Sequence, residues 1–482
     1  MGRLKFNDIL SRIKRLRGIL LLEVIFAIAL FTVVGSSVVL LVTSLLTDVT
    51  YTKDSLRAQM MAEEGLEASR IIRDMDWGDL ALGTHGLSYE DGAWTFDGSA
   101  DSEDGFTRSV SISEIATNER KIDVSVSWDM LNGRSITHTL SSVLSNWRNL
   151  GSLAGDWDNP YITGDLLDFG NGFRAIGIDI GENIIYLAGH GSISSAMELY
   201  LVDVSDPLNP QKLGSVSTGK GINELSVNDD RTLVFAASAG NSQLEVYFAT
   251  PVDNPRLAKT YKISGNRHTG RSIDLVGDMV YLGTEGADAY EFFVIDVSTY
   301  TSPVVRSSIS VGNDVNDVMV VGDYAYIVSD VDNREVGIID ISDPDHASVA
   351  SFVDLPGLND AEGIFMDPST NRAYVGRQVA TGPNTPEVVI LDVSDPEHPT
   401  ILASREHDAD VDSMLAIGDQ MFVVADTPEE FLIFDVSNLP VLTQTGALDL
   451  GENSNPTDLL FQDNYFYIAI FDRLGLRVVT AD

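Results

Sequence analysis

The stretch VGIIDISDPDHA (Val336 to Ala347) decides the fold, because it returns along the chain as LYLVDVSDPLNP (Leu199 to Pro210), FFVIDVSTYTSP (Phe292 to Pro303), VVILDVSDPEHP (Val388 to Pro399) and FLIFDVSNLP (Phe431 to Pro440). A degenerate copy, LEVYFATPVDNP (Leu244 to Pro255), fills the double interval between Asp203 and Asp296, and LRVVTAD (Leu476 to Asp482) closes the chain as a partial seventh. The period lies in the mid-forties of residues, which is the length of one supersecondary unit and too short for a separate domain.

Within a period the pattern is constant. NDVMVVG (Asn316 to Gly322), DYAYIVS (Asp323 to Ser329), VGIIDIS and SVASFVD (Ser348 to Asp354) are four short strands separated by turn residues. Four antiparallel strands repeated at this spacing predict the blades of a propeller, which closes radially and so leaves few unpaired edges. The last period stops after its third strand. An orphan fourth strand precedes the first period, within DNPYITGDLLDFG (Asp158 to Gly170), and is expected to complete blade seven and latch the ring. Residues 157–482 resemble the LVIVD-repeat family of β-propellers, a likeness that implies the fold and little about activity. The recurring Asp of IDVSDP is read as a turn residue, since equivalent side chains at seven radial positions share no focus.

The loops entering the inner strands converge on one face of such a ring. Arg174, Asn223, Arg271, Asn316, Glu362, Asp412 and Asp458 are therefore the candidate ligand-binding residues at the channel mouth. Asp314, Asp317, Asp360, Asp408 and Asp410 add oxygen ligands that could recruit Ca²⁺, although no spaced calcium loop is present. No cofactor is otherwise implied. The seven histidines (His85, His138, His190, His268, His346, His398, His407) have no metal-ligand spacing, and no nucleophile elbow or phosphate loop occurs. No catalytic constellation is visible, and the reading is of a binding protein before an enzyme.

The other end of the chain follows a different rule. Ile19 to Leu46 is an apolar run interrupted only by Glu23, long enough to span a bilayer as a helix, and it is preceded by Arg3, Lys5, Arg12, Lys14, Arg15 and Arg17. The basic flank predicts that residues 1–18 stay inside and that everything after Leu46 crosses the membrane. A carboxylate in hydrocarbon costs about 2.5 to 3.5 kcal/mol, so Glu23 needs a cationic partner. Arg17-Gly18 followed by ILLLE resembles the class III signal of type IV pilins and type II secretion pseudopilins. That resemblance implies cleavage by a prepilin peptidase between Gly18 and Ile19, N-methylation of Ile19, and pairing of Glu23 with the N-terminal amine of a neighbouring subunit. Its partners would be other pilin or pseudopilin subunits, the membrane, and an extracellular protein or glycan.

Beyond the span, Val49, Leu56, Met60, Leu66, Ile71 or Ile72, and Met75 recur at helical intervals, predicting an amphipathic continuation to about Asp76 that packs this stripe on a sheet. Residues 78–105, rich in Gly, Asp and Ser, read as a loop. Strands follow in Phe106 to Ile115, Lys121 to Met130 and Arg134 to Trp147, with Asn132-Gly133 as the hairpin turn between the last two. The expected organisation is a leader (1–18), a long helix (19–76, span 19–46), a small antiparallel sheet (77–148), a linker (149–156) and a seven-bladed propeller (157–482). The fold class is mainly β, with a pilin-like α+β domain and a transmembrane helix ahead of the propeller.

Composition bounds the rest. The 482 residues carry 72 Asp and Glu against 31 Lys and Arg, a net charge of -41, which repels phosphate backbones and excludes nucleic acid as a partner. There is no cysteine, hence no disulfide and no thiolate site. The propeller is expected outside the cytoplasm, on the cell surface or a pilus. The alternatives are a pseudopilin-type secretion component and a membrane-anchored extracytoplasmic enzyme.

Overall fold

The third run of each period is apolar without alternation because its strand is covered on both faces. Leu199–Asp203, Phe292–Asp296, Val336–Asp340, Val388–Asp392 and Phe431–Asp435 are each buried along their length until the final Asp. In the computed structural model, which describes residues 26, 28–38, 53–73, 77–90, 93–116, 119–130, 134–145, 153–164, 166–170, 172–191, 197–217, 219–263, 268–286, 289–380, 385–451 and 454–482, the chain divides into two units, 1–145 and 146–482.

The larger unit consists of seven four-stranded antiparallel sheets. Their inner strands are Phe173–Gly181, Ile222–Val227, Gly270–Val276, Val315–Val321, Ala361–Asp367, Val411–Ile417 and Pro456–Gln462, here blades 1 to 7. Each inner strand packs beside the next, and that of blade 7 packs beside that of blade 1, so the sheets form a closed ring. Blade 7 takes its outer strand from Tyr161–Thr163, which pairs antiparallel with Leu476–Thr480. Each recurring aspartate makes a turn. Asp203, Asp296, Asp340, Asp392 and Asp435 accept the backbone N–H of the serine two residues on, at 2.8 to 3.0 Å.

In the smaller unit, residues 53–73 are helical and lie on an antiparallel sheet ordered Ala93–Asp97, Gly83–Glu90, Phe106–Ala116, Glu119–Asp129, Ser135–Ser145, with Asp101–Glu103 also paired to Phe106–Ala116. Two expectations need correction. The buried helix face is Ala58, Met61, Ala62, Gly65, Ala68, Ser69 and Ile72, whereas Leu56 and Met60 are 59% and 61% exposed. Close approach keeps residue 65 small, since a Cβ on Gly65 would stand 2.7 Å from Val124 Cγ1, while of the expected stripe Ile72 is buried and Leu66 packs on this core. Residues 78–105 are also not a loop. Three of the strands lie there, and the alternation that makes them, in LSYE and AWTF, is obscured by the Gly and Asp around it.

Arg108, buried against Trp94, joins helix to sheet by ion pairs to Glu64 (2.8 Å) and Asp101 (3.0 Å). Residues 26 and 28–38 are helical, and no described helix is long and apolar enough to cross a membrane. Most of the expected span, together with Gly18, Ile19, Glu23 and Asn132-Gly133, lies outside the described residues.

Candidate functional site

Every inner strand carries a β-bulge near its start, where two of its residues oppose one on the second strand. The extra residues are Ile176, Asn223, Arg271, Asn316, Glu362, Asp412 and Thr457, one per blade at the same level. Five of the seven sequence-derived candidates stand in this layer. Arg174 and Asp458 do not. Arg174 precedes the bulge and donates to the carbonyl of Phe173 (2.7 Å), while Asp458 follows it and lies deeper in the channel wall.

The bulge side chains cross between blades at the mouth. Arg271 on blade 3 reaches Glu362 on blade 5 (3.3 Å) and Glu285 (3.7 Å), and Gln378 donates to the other Glu362 oxygen. Asn316 donates to the Asp330 carboxylate and to the carbonyl of Ala361 (2.8 Å). Asn223 Oδ1 accepts from His190 Nε2 (2.8 Å), and its amide nitrogen donates to Gly270 O (2.6 Å). The residues around Arg271 are predominantly acidic. Burial, then repulsion from Glu362, Asp410 and Asp426, pushes Asp412 up to about 7. Asp330 and Asp360 are raised as well, mainly by burial.

Below the mouth, five acids of the inner strands clasp one blade to the next. Asp458 accepts from Ile178 N (3.1 Å), Asp179 from Val227 N (2.8 Å), Glu224 from Ile273 N (2.8 Å), Asp274 from Val320 N (2.7 Å) and Asp317 from Ile364 N (2.8 Å). Between blades 5 and 6 the place is taken by Gly363, where a Cβ would meet Asp412 O at 2.4 Å, so the backbones themselves touch. Burial is the main cause of raised pKa values throughout, only partly offset by the N–H bonds. It pushes Asp179 and Asp458 up to about 7, Asp274 and Asp317 up to about 6, and Glu224 well up.

These shifts predict a pH dependence of stability. The folded protein holds these protons more tightly than the unfolded chain, whose Asp ordinary value is 3.8, so the stabilisation is complete below that value and is lost as pH rises through about 6 to 7. The midpoint of thermal unfolding is expected to be higher at pH 5 than at pH 8, read by circular dichroism. A midpoint that falls on acidification over that interval would count against the clasp.

A further set escaped the sequence reading. Glu198, Gln243, Glu291, Glu335, Glu387 and Glu430 stand immediately before the third strands of blades 1 to 6 and are all buried. They accept backbone N–H groups of the segment leading to the next blade's inner strand, as Glu291 does from Val311 (2.8 Å) and Gly312 (2.9 Å) and Glu430 from Leu450 (2.8 Å). They hold the mouth loops in place. Their signal was available, an acid or amide preceding each apolar run, but it reads as a solvated strand end. Among the described residues no group of three or more His, Asp and Glu side chains is placed to hold a metal ion.

The LVIVD repeat family matches residues 193–218, 312–354 and 379–405. No curated protein sequence matches the chain. Many solved structures share its fold. One is a chain in the crystal structure of the mitotic checkpoint complex (12% identity, 67% of this chain and 93% of that one, TM-score 0.52). Others are the RRP9 WD40 repeats (11%, 67% and 100%, TM-score 0.51) and U3-55K (11%, 68% and 100%, TM-score 0.50). At these identities the likeness is one of fold alone.

Proposed function

We propose that the protein is an exported, pilin-like subunit that assembles through its N-terminal helix and displays the propeller as a binding module for an extracellular partner. The observation that carries this reading is the coincidence of Gly18, the apolar run from Ile19 and Glu23 at the spacing of a class III signal. The helix of residues 53–73 lying on an antiparallel sheet supports it, since one helix on a small meander is the pilin architecture. A propeller of more than 300 residues would crowd a close-packed filament, which favours a minor or tip position over a major subunit.

The test is the mass of the mature N-terminus in the native host. A chain beginning at methylated Ile19 is expected. A chain retaining Met1 overturns the assembly reading and leaves a membrane-tethered propeller.

A further inference from the structure

The edge of a sheet presents a row of unpaired backbone N–H and C=O groups, and proteins blunt such edges with short strands, bulges, charges or proline. The propeller does so on every blade. Its six full outer strands are six residues long and each is bulged against the third strand, while the seventh, Tyr161–Thr163, has three residues. On the sheet of the smaller unit, Ala93–Asp97 ends one side with five residues and a terminal acid. Ser135–Ser145, which ends the other side, departs from all of these. It runs for 11 residues as SITHTLSSVLS, without Asp, Glu, Lys, Arg, Pro or Gly, and pairs with Glu119–Asp129 in unbroken register along its whole length. Among the described residues nothing pairs with its outer side.

These features define the occupant. A long row of backbone donors and acceptors is matched by another extended strand, and by neither a helix nor a compact apolar surface. On one face of Ser135–Ser145 the side chains of Thr137, Thr139, Ser141 and Val143 are exposed, and on the other Ile136 and Leu140 are only partly buried against the core that holds Leu144. A strand laid alongside places one of its faces beside Ile136 and Leu140 and the other beside Thr137 and Thr139, so it is apolar at every second position and polar between. The edge carries no charge in a chain of net charge -41, so it does not select a basic partner. A second copy of the strand has fitting chemistry and the wrong geometry. The two-fold axis that relates antiparallel edges stands perpendicular to the sheet and would reverse the helix of residues 53–73 packed on it, so two chains anchored in one membrane cannot pair this way.

We propose that Ser135–Ser145 is a strand-addition site that takes an uncharged extended segment of a different protein, apolar and polar in alternation, as a further strand of the sheet. This goes beyond the assembly reading and places a second interaction surface on the smaller unit. The exclusion of a second copy rests on membrane anchoring, which a processed and an unprocessed N-terminus share, so the identity of the first residue and binding at this edge fail independently.

The experiment uses the full chain in detergent and a fluorescently labelled acetyl-Thr-Val-Thr-Ile-Thr-Val-Thr amide. The controls are the same peptide N-methylated throughout, which keeps the side chains and removes the N–H donors, and the block order acetyl-Val-Ile-Val-Thr-Thr-Thr-Thr amide. A saturable anisotropy change is expected for the alternating peptide, nearly independent of ionic strength, with hydrogen exchange slowed across residues 135–145. Losing the donors or the alternation is expected to weaken binding about tenfold or more. Thr139→Lys combined with Val143→Lys, both at exposed positions, is expected to weaken it about as much, because edge lysines oppose strand addition. Circular dichroism checks that this variant is folded, and if it is not, the N-methylated peptide decides. Equal binding of that peptide overturns the proposal, as does the absence of saturable binding or exchange protection confined to other strands. Self-association of the wild type that the two lysines abolish would seat a second copy on the edge and overturn the choice of occupant.

Discussion

Trp157→Ala is expected to destabilise the propeller by about 3–5 kcal/mol, the cost of emptying a large aromatic site in a packed core. Trp157 lies outside the repeats, yet it is 2% exposed. Its ring meets Phe422 at 5.5 Å and Phe466 at 5.2 Å, both edge-on, and Phe461 at 6.2 Å. It therefore joins blade 6 to blade 7. The same segment holds the end of the chain: Asp156 N donates to Asp482 O (2.7 Å), the Tyr161 hydroxyl to the Asp482 carboxylate (2.7 Å), and Tyr161–Thr163 supplies the last strand. A ring has no redundant seam, so loosening this one exposes the edge of blade 7. The measurement is a guanidinium unfolding curve, with the midpoint moving and the slope unchanged. Trp157→Phe should recover most of the loss, because the indole N–H has no partner and only the ring's volume is needed. A loss below about 1 kcal/mol in the alanine variant would show the latch to be dispensable.

On the proposed reading, Glu23→Ala is expected to reduce incorporation into filaments about 100-fold or more while leaving the membrane-inserted pool intact. Removing one partner of an ion pair in a low-dielectric setting costs roughly 3–5 kcal/mol because the other charge is stranded. Insertion itself loses nothing, since the carboxylate opposes it. Immunoblots of sheared filaments against membranes separate the two pools. Equal recovery of wild type and variant from filaments would remove Glu23 from assembly and with it the main support for a pilin-like subunit.

The mouth shows where reading residues in line reaches its limit. Asn223, Arg271, Asn316, Glu362 and Asp412 share a layer because their blades repeat cleanly, and equal phase in sequence becomes equal height in the ring. Blades 1 and 7 are the irregular ones, and there the layer holds Ile176 and Thr457 in place of Arg174 and Asp458. Arg174 falls two residues before that layer and Asp458 one after it. The helix of residues 53–73 failed differently. Leu56 and Met60 have a helical period but lie off the face that meets the sheet, which Ala58, Met61, Ala62, Gly65 and Ile72 occupy.

Local pattern determined the repeating four-stranded sheets, because strand and turn preferences are settled by neighbours a few residues apart. It also determined the turn role of the recurring aspartates and, by resemblance, the expected processing at Gly18. Only closure of the ring decided which acids meet. Asp274 and the N–H of Val320 that it holds are 46 residues apart, and Arg271 and Glu362 are 91. No local preference encodes such pairs, whose distances follow from the packing of whole blades. The charge of the mouth is a property of the ring.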